Sequence, residues 1–168
     1  ILATVINFPD SEHSISQIKN ELSLAERAQE IDVVFPYNLF LTGNKQLAFD
    51  RMQQIIKLIP NSKTIKVIIE SGIYNSLDKI IEICEFLIKQ DIDFIKTSTG
   101  KIQTGATLEA AQTILSVIGN NKKGLKVSGS IKNIEQAQSY LTLAEDHFNN
   151  GLPVSPNQFR IGSSKIFN

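Results

Sequence analysis

The stretch Glu30-Ile31-Asp32-Val33-Val34-Phe35-Pro36-Tyr37 decides the fold. Its centre, Ile31–Phe35, is almost continuously apolar, and a proline ends it. A strand that reads this way is parallel and covered on both faces, because an antiparallel strand with one wet face would alternate. Runs of the same kind lie at Leu2–Phe8, Thr64–Glu70, Asp93–Ser98, Leu125–Ser128 and Phe159–Gly162. They recur at intervals of about 30 residues, the length of one βα unit.

Helical patterns fill the intervals. Ser14–Gln29 opens on a capping Ser14 and carries Ile15, Ile18, Leu22 and Ala25 at three- and four-residue spacing. Asn44–Ile59 is followed by Pro60, which stops it. Asn75–Gln90, Thr107–Ile118 and Asn133–Asp146 complete the set. No linker or low-complexity tract divides the chain, so one α/β domain over residues 1–168 is expected. Strict βα alternation leaves two architectures, the doubly wound sheet and the (β/α)8 barrel. The first strand runs into Asn7-Phe8-Pro9-Asp10 without a G-x-G-x-x-G fingerprint, which favours the barrel. Six strands are legible and a closed barrel has eight. The chain opens directly on a strand, Ile1-Leu2-Ala3-Thr4-Val5-Ile6, with no initiator Met. The expectation is a (β/α)8 TIM barrel lacking two βα units, about 60 residues.

The composition narrows the partners. Of 168 residues, 42% are hydrophobic and 20% charged, which is ordinary globular usage. Lys and Arg number 17, as do Asp and Glu. A neutral chain lacks the basic surface on which nucleic-acid affinity rests, and lacks a polybasic membrane anchor. No apolar run approaches the roughly 20 residues of a membrane span. A single cysteine, Cys84, forbids an internal disulfide and fits a reducing, cytoplasmic setting.

Ionisable residues stand where covered strands should have none. Asp32 lies in the opening stretch. Lys96 lies in Phe94-Ile95-Lys96-Thr97-Ser98-Thr99-Gly100-Lys101, and Lys126 in Leu125-Lys126-Val127-Ser128-Gly129. Side chains alternate along a strand, so Lys96 shares a face with Phe94 and Ser98, and Lys126 with Ser128. A lone strand lysine is commonly an edge residue that snorkels. Two in central strands together with an aspartate point to one interior site. Lysine chemistry gives the reason: an amine must be neutral to attack a carbonyl, and burial beside a second ammonium lowers its pKa.

These stretches, with Ala3-Thr4-Val5-Ile6-Asn7-Phe8-Pro9, Gly105-Ala106-Thr107 and Phe159-Arg160-Ile161-Gly162-Ser163-Ser164, resemble the deoxyribose-phosphate aldolase family. They stand in that family's order, and Phe-Ile-Lys-Thr-Ser-Thr-Gly-Lys is the most specific of them. The resemblance implies a class I aldolase that uses no metal or cofactor and a phosphorylated sugar as substrate. The implied reaction is reversible cleavage of 2-deoxy-D-ribose 5-phosphate to D-glyceraldehyde 3-phosphate and acetaldehyde. It implies that Lys96 forms the Schiff base, Lys126 lowers its pKa, and Asp32 shuttles protons with water. It implies that Gly100, Lys101, Gly129, Ser130, Gly162 and Ser163 bind the phosphate. Ser130, Lys132 and Lys165 depart from the family's usual Gly, Arg and Ser. A lost Gly can block a close approach, and a Lys lacks the guanidinium fork.

Other signals carry less. His13 and His147 lack ligand spacing and are read as surface residues; Cys84 falls on a helix's apolar stripe and is read as core. Glu70 is either a pocket residue or the ion-pair partner of an interior lysine. The competing function is an inactive barrel fragment that binds a phosphate compound or self-associates as a homo-oligomer.

Overall fold

The computed structural model describes residues 1–164 and 166. Strands β1 (Ala3–Ile6), β2 (Glu30–Val34), β3 (Thr64–Ile68), β4 (Phe94–Lys96), β5 (Gly124–Ser128) and β6 (Phe159–Gly162) form one sheet in chain order. Every neighbouring pair is parallel. Between them run helices α1 (Ile15–Leu24), α2 (Tyr37–Leu41), α3 (Lys45–Ile56), α4 (Leu77–Leu87), α5 (Leu108–Ile118) and α6 (Ile134–Asn149). All six expected strands are present, and β1, β3 and β4 are shorter than the apolar runs that announce them.

The sheet is curled into a half-barrel. Arg160 on β6 bonds Glu30 on β2 at 2.7 Å, although the two strands are four places apart. In a flat sheet, with about 4.8 Å between neighbours, they would stand about 19 Å apart. Only curvature brings the side chains together. The convex face carries the helices. There Ile31, Val33, Val67, Ile95, Leu125 and Val127 meet Ile18, Met52, Ile55, Ile83, Leu87, Ile114 and Ala144, all buried.

Capping fixes most helix starts. Ser14 accepts the N–H of Gln17, whose side chain returns to the Ser14 N–H, a full capping box. Thr107 accepts the N–H of Ala110, and Asn133 that of Gln136. Two helices differ from expectation. α1 ends at Leu24, because Lys63 donates to the carbonyls of Ala25, Glu26 and Ala28 and gathers them into a turn. The short α2 has no periodic signal of its own. It forms because Phe40 packs among Phe35, Phe49 and Tyr74, and Phe49 stacks on Phe86 at 4.3 Å.

On the concave side one glycine sets the packing. Gly124 pairs with Phe94 across β4 and β5. A methyl group built on it would lie 2.3 Å from the Phe94 ring and 2.8 Å from the Asn157 carbonyl oxygen. Gly124→Ala should therefore destabilise the fold by about 1–3 kcal/mol, the usual cost of overpacking. Urea unfolding should show a lowered midpoint at an unchanged slope. A midpoint equal to the wild type would mean the ring yields freely.

Candidate active site

Strand register assembles the site. Asp32 pairs with Lys66, Lys66 with Phe94, Lys96 with Lys126, and Lys126 with Arg160. Paired residues of parallel strands share a face, and so do residues two apart on one strand. Glu30, Asp32, Lys66, Lys96, Lys126 and Arg160 therefore all project into the concavity.

Asp32 is the hub. Its Oδ1 accepts from Lys66 Nζ at 2.7 Å. Its Oδ2 accepts from both Lys96 Nζ, at 2.6 Å, and Lys126 Nζ, at 2.9 Å. Lys66 also pairs with Glu30 at 2.6 Å, and Arg160 donates to both Glu30 oxygens. The Arg160 guanidinium lies 4.6 Å from the centre of the Phe94 ring. The cluster thus holds four cations and two carboxylates.

Burial is graded across it. The Lys66 side chain is 0% exposed, that of Lys96 10% and that of Lys126 17%. Only the last two are within reach of a ligand entering from outside. Burial pushes the Asp32 carboxyl up, but the Lys96 and Lys126 charges and the hydrogen bonds from Lys66 and Lys96 outweigh it. The net result is a pKa of about 2. Glu30 is likewise lowered, its burial overcome by Arg160 and Lys66. Lys96 is lowered below an ordinary lysine. Burial is the main cause and the charges of Lys126 and Lys66 add to it, against the pull of Asp32. A cationic surplus around a buried amine is the condition that favours its neutral form.

The expected trio of Asp32, Lys96 and Lys126 is thus brought into direct contact. Lys66, Glu30 and Arg160 complete the cluster and were not anticipated. Lys66 had a readable signal, since it interrupts the apolar run Ile65-Lys66-Val67-Ile68 as Lys96 does its own. Glu70 is buried without an ion pair among the described residues; of its two readings the lysine pairing is not seen, and Ser98 and Thr99 are its partners.

The expected phosphate residues occupy three adjacent loops at the C-terminal ends of β4, β5 and β6. Gly100 and Gly129 have positive φ, +75° and +77°. A Cβ on Gly129 would come within 3.1 Å of Ser98 Oγ, and one on Gly105 within 2.3 Å of the Gly129 backbone, so these loops touch through glycines. Gly162 lies beside the Lys126 stem, its would-be Cβ 3.4 Å from Cε. The amides of Gly100 and Lys101 donate to Ser98 Oγ and Thr99 Oγ1. Ser130 holds φ +62°, a region that favours glycine, and its Oγ accepts the Gly105 N–H at 2.8 Å. Ser163 Oγ donates to the Ile131 carbonyl. The Lys132 side chain is exposed, and Lys165 lies outside the described residues.

His13 is partly buried and pairs with Glu21 at 2.7 Å, and His147 packs edge-on against Phe148. Cys84 is fully buried, and burial pushes its thiol up. Among the described residues no group of three His, Cys, Asp or Glu side chains is arranged to hold a metal ion. No described helix is long and apolar enough to cross a membrane.

The curled parallel sheet thus gathers three lysines around one carboxylate within its concavity. Residues 2–152 match the family model of the DeoC/LacD family aldolases, and the chain belongs to that family. Among solved structures it is similar to QR15, an aldolase, at 27% identity and a TM-score of 0.76. That alignment covers 95% of this chain and 66% of the other. The deoxyribose phosphate aldolase of Aeropyrum pernix, described as tetrameric, aligns at 22% identity and a TM-score of 0.73. There the coverage is 97% of this chain and 64% of the other. The chain therefore spans about two thirds of the length of these structures.

The low pKa of Asp32 has a consequence for stability. A carboxylate lowered from 3.8 to about 2 contributes stability that is whole above pH 4 and is lost as pH falls through about 2. The shift corresponds to about 2 kcal/mol. Urea unfolding of wild type and Asp32→Asn at pH 5 and pH 2 should show their stability difference shrinking by about that amount. A difference that does not change with pH would mean Asp32 is not held by the lysines.

Proposed function

We propose that the chain carries a class I aldolase site, with Lys96 as the nucleophile. The proposed reaction is reversible cleavage of 2-deoxy-D-ribose 5-phosphate to D-glyceraldehyde 3-phosphate and acetaldehyde. The observation that carries this reading is the sharing of one Asp32 oxygen by Lys96 and Lys126 at the open side of the cluster. The sequence resemblance over the same residues and the aldolase family membership support it.

The geometry lends itself to the following course. Neutral Lys96 adds to the C1 aldehyde of the open-chain sugar, giving a carbinolamine. Water leaves and a protonated imine remains. The C3 hydroxyl then gives up its proton, the C2–C3 bond breaks, and its electron pair passes to the imine as an enamine. Glyceraldehyde 3-phosphate departs. Protonation at C2 restores the imine, and water returns to release acetaldehyde and Lys96. Asp32, held near pKa 2, is a poor base while three lysines surround it. Lys96 must give up its proton before it can attack, and with that cation gone the carboxylate regains basicity. That change of charge lets Asp32 move protons, with water, at the step that needs it.

For the scaffold, we propose that the six strands are consecutive members of a (β/α)8 barrel. Each of β1 and β6 pairs on one side only among the described residues, and Val5, on the concave face, is 39% exposed. That open edge also favours a second reading, a half-barrel that self-associates without turnover, since unpaired parallel edges attract other chains. Sedimentation of the 168-residue chain beside a turnover assay separates the two. A self-associated, inactive chain that gains activity with further strands supports the barrel.

Acetaldehyde with borohydride should place an ethyl group on Lys96, read by peptide mass spectrometry. Labelling confined to surface lysines would sink the assignment. In Lys126→Met a charge that depresses the Lys96 pKa is gone, so Lys96 rises and is less often neutral at pH 7. The acid limb of the kcat/KM profile should move up by about one pH unit, with activity at pH 7 down by about tenfold or more. An unmoved limb would make Lys126 a bystander.

A further inference from the structure

Glu70 is the buried acid that the cluster around Asp32 does not use. It follows β3, is 0% exposed, and holds φ +56°, a left-handed conformation uncommon outside glycine. Its carboxylate accepts from three groups on the loop that follows β4. Ser98 Oγ donates to Oε1 at 2.5 Å, the Thr99 N–H lies 3.2 Å from both oxygens, and Thr99 Oγ1 donates to Oε2.

The two hydroxyls also accept. The Gly100 N–H donates to Ser98 Oγ at 2.9 Å, and the Lys101 N–H to Thr99 Oγ1 at 3.1 Å. Two parallel relays result, each running from an amide through a hydroxyl to the carboxylate. A hydroxyl has one proton. An ionised carboxylate can only accept, so it draws both protons inward and leaves the hydroxyl lone pairs to the two amides. A neutral amide side chain in its place would also donate, and could reverse one relay.

We propose that Glu70 is a positioning residue that shapes the Ser98–Lys101 loop for an anionic phosphate and thereby sets selectivity for phosphorylated substrates. The proposal rests on the aldolase reading above. The loop begins two residues after Lys96, so an error in its shape displaces a substrate held there from the nucleophile. Ser128 anchors the other side of the segment, its Oγ donating to the Ser98 carbonyl at 2.6 Å. With the loop fixed from both sides, Glu70 is the one charged group among these contacts, and it is sealed from direct approach by the phosphate. Its influence therefore passes through Ser98 and Thr99.

The test uses protein expressed from the complete reading frame, as wild type, Glu70→Gln and Thr99→Val. For each, kcat and KM are measured with 2-deoxyribose 5-phosphate and with unphosphorylated 2-deoxyribose. Labelling of Lys96 by acetaldehyde and borohydride is the control, since acetaldehyde carries no phosphate. Glu70→Gln should cut the kcat/KM preference for the phosphorylated sugar by about tenfold or more, chiefly through KM, with labelling retained. Thr99→Val, which breaks one relay, should move the same ratio by less. An unchanged preference in both variants overturns the proposal. So does an equal loss on both substrates, which would mark a general structural role. If Glu70→Gln does not fold, Thr99→Val decides alone. If wild-type Lys96 is not labelled, the aldolase reading has failed. Titration with inorganic phosphate then judges Glu70: binding about tenfold weaker in Glu70→Gln upholds its role, and equal binding removes it.

Discussion

The carboxylate of Asp32, shared by Lys66, Lys96 and Lys126, is the interaction on which the rest depends. Three ammonium groups on three successive strands cannot be buried together without it, since an unpaired buried charge costs several kcal/mol. The carboxylate satisfies all three only if β2 faces β4 and β5 across a cavity, so the charge cluster demands the curl. Arg160 and Glu30 repeat the demand one layer away and extend it to β6. Curvature, helix placement on the convex side and the interior site are one solution to one electrostatic problem.

Much of this was legible in the chain, for a physical reason. Strands covered on both faces are written in continuous apolar residues, and an interruption such as Asp32, Lys96 or Lys126 is conspicuous there. Lys66 is the same kind of interruption and was equally visible; what the sequence could not convey is that it lies sealed beneath the others. The Glu30–Arg160 pair joins positions 130 residues apart, and no local pattern links them. Helix starts were readable because a cap is local. The end of α1 was not, because Lys63, which holds the turn after it, comes from the far side of β2. For Glu70 the sequence leaves two readings open, a pocket residue or the partner of an interior lysine, for a related reason. Its neighbours in sequence show only a strand end beside Ser71-Gly72, and it is the left-handed backbone that turns the carboxylate toward the next loop.

The rim follows a different logic from the interior. Beneath it, basic side chains gather around two carboxylates. At the rim, short hydroxyl side chains tie each loop to the next: Ser98 and Thr99 to Glu70, Ser128 to Ser98, Ser130 to Gly105 and Ser163 to Ile131. Hydroxyls suit this task because each can donate and accept at once. Ser130 illustrates the compromise. Its φ of +62° would be easier for glycine, but glycine has no Oγ with which to take the Gly105 amide. The side chain thus offsets part of the conformational cost that its own Cβ introduces.

The gradient of burial assigns roles among otherwise similar lysines. All three touch Asp32, so contact with the carboxylate does not distinguish them. Lys66 is sealed and held by two carboxylates, Glu30 and Asp32. So placed, it supports the site from below. Lys126 is the most exposed and keeps the readiest access to water. Lys96 lies between them, buried enough to disfavour its charge and open enough to meet a carbonyl. A nucleophilic amine needs both conditions at once. On the proposed reading the middle position in the gradient suits that role, and it is set by strand register, with Lys96 beside Lys126 on β5 and one layer above Lys66 on β3.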